Sequence, residues 1–547
     1  MRGCLGRIGP FAALAFFCLV LYLPGLVSIP PLDRDEARFA QASRQMLESG
    51  DFLRIRFQDH ARDKKPAGIY WLQAASVALF STAKSTAIWP YRLPSTLGAA
   101  LAVLLTLALG RALFPEERRA GLYAGVVMAG VLGLVVEAHI AKTDAALLAA
   151  VVAGQGALGL AYVRARAGER IGWRLAIGFW LAEAAGILLK GPIAPLIALL
   201  TAAALAIADR DWRWLARLRP LVGFCVVAAL VLPWLVAIER ATAGGFLAQS
   251  VGHDLLPKLL GGQEAHGAPP GAYLALLPVT FWPGSLLLVP ALLWVWRQRH
   301  APAERFLCAW LVPTWLVFEL VPTKLPQYVL PLYPALALLA GRALAEGLAG
   351  AIRGRAQIAD RVVRALWALV TATLAAAFVL LPIEFGQGPA PAGIIGAVML
   401  LALAPALLLR RPRPATTVIL LAALTAAFAL PAAAILPGLD RLWLSRAAAA
   451  LVSRHPPPAG APLVAIGDSE PSLVFLLGTK TRLASVPAAT VLLAKGGAAL
   501  VEGRQTALFR RTLAARGLVL RAEGRVSGLD YATGRALVLT LYAVAPG

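Results

Sequence analysis

The stretch RLAIGFWLAEAAGILLKGPIAPLIALLTAAALAIA, residues 174–208, reads as two apolar runs separated by Lys190-Gly191-Pro192. Proline cannot continue a helix through its own position, and glycine tolerates the sharp turn that precedes it. Each run approaches the roughly 20 apolar residues that a helix needs to cross a bilayer. The pattern predicts two helices of a membrane bundle joined by a tight turn that carries one lysine.

The same pattern recurs along the whole chain. We find about thirteen such runs, near 11–29, 93–113, 120–138, 143–162, 174–190, 192–208, 218–238, 272–296, 304–321, 326–346, 363–383, 391–410 and 415–436. The composition agrees. Of 547 residues, 59% are hydrophobic and 15% charged, with a mean hydropathy of +0.72. Soluble domains carry roughly 25% charged residues. The fold class expected is an all-α polytopic membrane protein.

The formal charge of +23 raises nucleic acid as a partner. The arginines argue against it, because they sit in short clusters between apolar runs and form no basic stripe. One set of loops holds Arg111/Arg118/Arg119, Arg164/Arg166/Arg170/Arg174, Arg210/Arg213/Arg217/Arg219, Arg297/Arg299/Arg305, Arg342/Arg353/Arg355/Arg361/Arg364 and Arg410/Arg411/Arg413. The alternate short loops hold only Lys142, Lys190 and Lys324, and none in 384–391. By the positive-inside rule the arginine-rich side is cytoplasmic. The start of the chain, with Arg2 and Arg7, is then cytoplasmic and the first run an uncleaved helix. An odd number of spans puts the C-terminus outside. The cysteines, Cys4, Cys18, Cys225 and Cys308, form no C-x-x-C pair and read as small hydrophobes.

Two outer loops are long, 30–92 and 239–271. In the first, RDEARFAQASRQMLESGDF (34–52) places Phe39, Ala42 and Met46 at helical spacing, which predicts an amphipathic helix. GIYWLQAASVALF (68–80) is apolar but short for a span. It reads as a helix at the interface or packed on the bundle, with Tyr70 and Trp71 at headgroup level. The transmembrane domain is expected over 1–437. Residues 438–547 change character: a strand signal at 462–466, an amphipathic helix at 504–517 and a strand signal at 536–545 predict a small α/β domain outside the cytoplasm.

Ionisable groups at span ends are costly unless paired or wet, so each is a functional candidate. All the strongest fall on the outer face. Asp35 and Glu36, with Asp33, Arg34 and Arg38, follow the first run. Two adjacent carboxylates there suit acid–base work or metal binding, or simply a charged helix N-terminus. Lys64 and Lys65 lie beside Arg62 and Asp63, and suit either a phosphate grip or snorkelling to headgroups. Lys142 and Asp144 start the fourth run, Lys190 ends the fifth, and Glu183 lies inside it. Glu319, Lys324, Gln327 and Tyr328 sit in ELVPTKLPQYVLPLYP (319–334), where prolines keep the backbone out of helix. His253, Asp254 and Lys258, followed by Glu264 and His266, offer ligands for a divalent ion such as Zn²⁺ without a tight ligand motif. That ion, with His253 as its ligand, is the cofactor the sequence raises. Lysines at the interface beside carboxylates suit a lipid phosphate whose tail stays in the bilayer and whose attached sugar is transferred.

Five motifs occur in order: DRDEARFAQASRQML (33–47), Lys65-Pro66 before GIYWL (68–72), AKTDAALLA (141–149), LLKGP (188–192) and KLPQYVLPLYP (324–334). Together they resemble the dolichyl- or polyprenyl-phosphate-sugar glycosyltransferases, among them the bacterial relatives of protein O-mannosyltransferases and of aminoarabinose lipid A transferases. The resemblance implies a GT-C fold of thirteen spans with juxtamembrane amphipathic helices and a periplasmic domain. It implies a bacterial inner-membrane enzyme that moves a sugar from undecaprenyl phosphate, with inversion, to a lipid A or glycan acceptor. On that resemblance Asp35 matches the essential first-loop carboxylate with Glu36 beside it, Asp144 the second acidic position, and Lys65 the phosphate-holding lysine. Tyr328 matches the late tyrosine, Lys258 a basic donor contact and His253 a metal-binding histidine. Many relatives carry an acidic residue where Lys64 stands, with Asp63 one place earlier here, which puts the metal site in doubt. Lys64, Tyr70, Lys190 and Lys324 complete the expected substrate-binding set. The sugar stays open among aminoarabinose, galacturonic acid, mannose and glucose. The alternative is a transporter or flippase for lipid-linked sugar, marked by midplane charges and interrupted helices in matching halves. Here the charges gather at one face.

Overall fold

The computed structural model describes residues 2–255, 257, 267–348, 352–410, 412–531 and 533–546, with side chains omitted for 2–7 and 255. Lys258, Glu264 and His266 lie outside the described residues.

Every apolar run forms helix. The first is α1 (Arg2–Tyr22), followed by α2 (Asp35–Ser49), a two-stranded hairpin of β1 (Arg56–Phe57) and β2 (His60–Ala61), and α3 (Gly68–Phe80). Next come α4 (Trp89–Leu113), the pair α5 (Arg119–Gly130) and α6 (Leu132–Ala138), then α7 (Asp144–Arg166), α8 (Trp173–Lys190), α9 (Ile193–Asp209) and α10 (Pro220–Ala241). After the second long loop follow α11 (Ala272–Thr280), α12 (Leu288–Gln298), α13 (Pro302–Leu320), α14 (Tyr333–Ala345), α15 (Ala356–Phe385), α16 (Pro391–Leu409) and α17 (Pro414–Ile435).

Among the described residues, 7 helices are long and apolar enough to cross a membrane, and up to 9 spans result if each bent pair counts as one. The chain is a multi-pass membrane protein. The expected count of thirteen exceeds this for a chemical reason. α8 carries Arg174, Glu183 and Lys190, and α13 carries Glu304, Arg305 and Glu319, so neither reads as a plain apolar span. The apolar parts of α1 and α9 are short, Ile8–Tyr22 and Ile193–Asp209.

Two spans are broken. α5 and α6 meet at 62°, and α11 turns by 110° toward α12. A break frees backbone groups that lipid cannot satisfy. Here one bond joins the two breaks, Leu132 N–H donating to Trp282 O at 2.8 Å, and the Trp367 side chain of α15 donates from Nε1 to Pro283 O at 3.0 Å. The proline-rich stretch before α14 is a 3₁₀ turn over Pro326–Leu332, as its prolines require.

The amphipathic reading of α2 holds: Phe39, Ala42 and Met46 are buried. α3 packs on the bundle. Ile69, Tyr70 and Gln73 are fully buried along one face while Leu79 and Phe80 remain exposed.

Beyond the membrane bundle, α18 (Leu444–Arg454) leads into β3 (Leu463–Ile466), α19 (Pro471–Leu477), β4 (Arg482–Leu483), α20 (Val486–Leu492), β5 (Gly497–Glu502), α21 (Thr506–Ala514), β6 (Leu518–Asp530) and β7 (Arg535–Pro546). The five strands order as β4-β3-β5-β7-β6, parallel around β3 and antiparallel around β7. Val464, Val501, Phe509 and Tyr542 form the core on one face, Leu444, Leu451, Leu500 and Leu541 on the other. This domain sits on α2. Phe475 is fully buried against Ala37, Ala40 and Tyr91, and Arg44 stacks on its ring while donating to its carbonyl at 2.6 Å.

Candidate active site

The end of α8, the starts of α2 and α7, the loops that follow α6 and α13 and the 3₁₀ turn meet on one face. They enclose a polar cavity of about 350 Å³. Its walls hold Arg34, Arg38, Arg62, Lys64, Lys65, Lys142 and Lys190 against Asp33, Asp35, Glu36, Asp144 and Asp254. Cations outnumber carboxylates, so an anion is the favoured occupant.

Asp35 is the first residue of α2, where the helix dipole favours a carboxylate. Its side chain is 59% exposed on the cavity rim and lies 4.0 Å from Arg38. Glu36, one residue on, is placed very differently. It is fully buried and accepts from Arg92 Nε (2.8 Å) and Nη2 (2.9 Å), Leu32 N (2.7 Å) and Ala141 N (2.8 Å). Arg92 spends its remaining donors on the carbonyls of Leu26, Ile29 and Pro30. The catalytic assignment expected for Glu36 is therefore corrected. Its lone pairs are committed to tying the first loop to α4 and α6, and none is left for a proton.

The floor is a chain of alternating charges. Lys142 Nζ lies 2.8 Å from Glu137 and 3.8 Å from Asp144, and Lys190 Nζ lies 2.5 Å from Asp144. Burial alone would push the Lys142 ammonium down, but the carboxylates of Glu137 and Asp144 outweigh it and hold it above the ordinary range. Lys190 also stands 4.9 Å from the ring centre of Tyr328. Lys65 pairs with Asp254 at 2.9 Å. Asp144, Lys64, Lys65, Lys190 and Tyr328 are thus brought together with Asp35, as expected.

A second, apolar chamber of about 320 Å³ opens from this floor. It shares Lys65, Asp144, Lys190, Asp254, Thr323, Gln327 and Tyr328 with the first chamber and continues between Leu147, Ile193, Leu196, Val317, Phe318 and Pro331. A charged compartment grading into a greasy one suits an amphiphile.

Other expected residues sit elsewhere, for visible reasons. Tyr70 is fully buried and supports the site from behind: it stacks on Phe39 at 5.2 Å, and Arg62 Nε donates to its hydroxyl at 3.3 Å. Lys324 turns away from both chambers and donates to Ala268 O and Val321 O, which fastens the end of the second loop to α13. His253 is exposed and lines a separate hollow of about 700 Å³ with Arg54, Arg56 and Asp63. Among the described residues no three His, Cys, Asp or Glu side chains converge as a metal site.

Glu137 and Arg92 escaped the sequence reading. Glu137 lies inside the apolar run 120–138, where an ionisable group is itself a signal. Arg92 sits just before a span, where arginine ordinarily reads as an interface anchor.

Residues 64–236 match the model of a family described as dolichyl-phosphate-mannose-protein mannosyltransferase. The undecaprenyl phosphate-alpha-4-amino-4-deoxy-L-arabinose arabinosyl transferase of Pseudomonas paraeruginosa is 32% identical over 343 residues, 60% of this chain and 60% of that protein. A Pseudomonas fluorescens transferase of the same description is 31% identical over 338 residues, 62% of this chain and 60% of that protein. The chain thus spans about 60% of the length of the curated relatives it matches. ArnT from Cupriavidus metallidurans superposes with a TM-score of 0.74 when bound to undecaprenyl phosphate and 0.76 in the apo state, over 98% of both chains at 20% and 19% identity. The motif-based resemblance is borne out, as is a helical multi-pass membrane fold with a small C-terminal sheet domain, with 7 to 9 spans among the described residues in place of thirteen.

Proposed function

We propose that the protein is an inverting glycosyltransferase that moves a sugar from a polyprenyl phosphate, undecaprenyl phosphate in bacteria, to an acceptor at the outer membrane surface, with lipid A the favoured acceptor. The observation that carries this is the pair of adjoining chambers: a compartment lined by more cations than carboxylates that shares Lys65, Lys190 and Tyr328 with an apolar one. The donor's phosphate fits the lysines and its isoprenoid chain fits the channel. The names of the similar transferases favour an amino sugar as the group transferred.

In this mechanism Lys65 and Lys190 hold the phosphate and Lys64 flanks it. Each ammonium already faces a carboxylate or the cavity, so it exchanges one anionic partner for another. Asp35 on the rim orients the acceptor. A hydroxyl acceptor gives its proton to Asp35 as its oxygen bonds to the anomeric carbon, while the carbon–oxygen bond to the phosphate breaks on the opposite face. Polyprenyl phosphate leaves with the electron pair, its charge met by the lysines. A phosphate acceptor is already nucleophilic and needs Asp35 only for position. Asp144 holds Lys190 in place.

Residues 1–437 carry this chemistry, and residues 438–547 pack on α2 beside it. The arginine-rich loops support a cytoplasmic N-terminus, and the site and the C-terminal domain then face the periplasm of a bacterial inner membrane.

The test is transfer from a panel of radiolabelled undecaprenyl-phosphate sugars into membranes containing lipid A. Label in lipid A from one donor supports the proposal and identifies the sugar. Label that crosses leaflets without entering any acceptor would replace it with a flippase.

A further inference from the structure

Asp33 and Arg34 form the turn that delivers Asp35 to the rim. Arg34 adopts φ +60° and ψ −110°, a conformation that costs any residue with a Cβ and persists only where its surroundings impose it. The surroundings here come from the C-terminal domain, more than 430 residues away in sequence. Asp33 N–H donates to the Tyr531 hydroxyl at 2.7 Å. Ser472 Oγ donates to the Asp33 carboxylate and is itself bonded to Ser445 Oγ at 2.6 Å. The Glu470 carboxylate faces the Arg34 backbone N–H, which acts against the upward push of burial on that carboxyl. Glu470 and Ser472 stand at the N-terminus of α19, and Tyr531 stands in the turn joining β6 to β7. Two elements of one domain thus hold two consecutive peptide units of another.

The acidic groups that gather here, Asp33, Asp468, Glu470 and Asp530, do not converge as a metal site among the described residues. Asp33 accepts from Ser472 instead, and one Glu470 carboxylate oxygen, Oε2, is buried with no hydrogen-bond partner among the described residues.

We propose that Glu470, Ser472 and Tyr531 are positioning residues for the transfer reaction, holding the Asp33–Arg34 turn in the conformation that sets Asp35 on the cavity rim. This rests on the function proposed above, and it gives the C-terminal domain a part in catalysis that its distance from the lysine floor hides. The domain is a clamp on the first loop. Deleting single clamp contacts loosens the turn without touching donor-binding groups.

The test uses the full-length protein in detergent or nanodiscs, with Tyr531→Phe and Ser472→Ala. Tyr531 is 37% exposed, so losing its hydroxyl leaves the ring on Trp443 and the fold intact. Amide exchange of peptides covering 30–38 is read beside steady-state transfer from the donor that the panel identifies. Exchange in 30–38 rises about tenfold with the β5–β7 peptides unchanged, as loss of one hydrogen bond allows. kcat falls about tenfold while donor KM stays within about twofold. Unchanged exchange in 30–38 overturns the clamp, and raised exchange with unchanged kcat overturns its positioning role. A wild type that transfers no sugar defeats the proposed function instead, and the exchange measurement alone then decides whether the clamp exists.

Discussion

Asp33, Asp35 and Glu36 are three carboxylates within four residues, and each meets a different environment. Asp35 faces the cavity. Glu36 is sealed under Arg92, and Asp33 is half-buried against the C-terminal domain. The sequence placed all three at the outer end of the first span but could not rank them, because what separates them lies 56 and 439 residues away, at Arg92 and Ser472. Two substitutions separate the roles. Glu36→Gln leaves the Arg92 guanidinium buried without its counter-charge, so thermal unfolding in detergent should show a loss of about 3–5 kcal/mol. Asp35→Asn, on an exposed rim, should change stability by no more than about 0.5 kcal/mol. Asp33 carries the pH dependence. Burial pushes its carboxyl up to about 7, against the hydrogen bond from Ser472 and with help from Glu470 and Asp468. Asp468 is likewise pushed up, to about 6, chiefly by burial. A raised carboxyl favours the docked state while protonated, so the contact is firmest below about pH 4 and weakens as pH rises to about 7. Proteolysis of the linker near residue 440 should accelerate over that window, and Asp33→Asn should flatten the part that ends near pH 7.

Helices in lipid gain little by hiding apolar surface from one another, so close backbone approach does the packing. α4 and α5 show this. A Cβ on Gly110 would lie 2.5 Å from the Gly121 Cα, and one on Gly341 would lie 2.6 Å from Ala120 O and Ala124 N. Backbone cannot yield as a side-chain tip can, so Gly110→Val should push α4 from α5. We expect a loss of about 2–3 kcal/mol, read as a lower detergent melting temperature, with transfer lost in proportion to folded protein. At this scale the helices were legible from hydrophobic run length. The breaks within α5/α6 and α11/α12 were not, because each is satisfied by a bond from the other span. The C-terminal strands β5 and β6 were also missed. GAALVE is short and alanine-rich, and LVLRAEGRVSGLD carries charges along an exposed strand, so neither stands out from loop.

On the scale of the whole molecule, loops far apart in sequence converge on one face, and the charge alternation between loops predicts that this face lies outside the cytoplasm. The assignment has a direct check. In a Cys225→Ala background, an impermeant maleimide should label Thr533→Cys in intact spheroplasts and Glu169→Cys only after lysis. The convergence also predicts a division of labour. Lys65→Ala and Lys190→Ala remove phosphate partners and should raise the donor KM at least about tenfold, the worth of one charge-assisted hydrogen bond. In the proposed reaction Asp35 acts on the acceptor, so its loss should leave donor affinity alone. The decisive measurement is therefore made on Asp35→Asn with the identified donor: undecaprenyl-phosphate binding and single-turnover transfer, side by side with wild type. Binding within about twofold of wild type and a transfer rate lower by about 10³ or more is the predicted result. Transfer at the wild-type rate with Asp35→Asn would contradict it and remove Asp35 from the reaction.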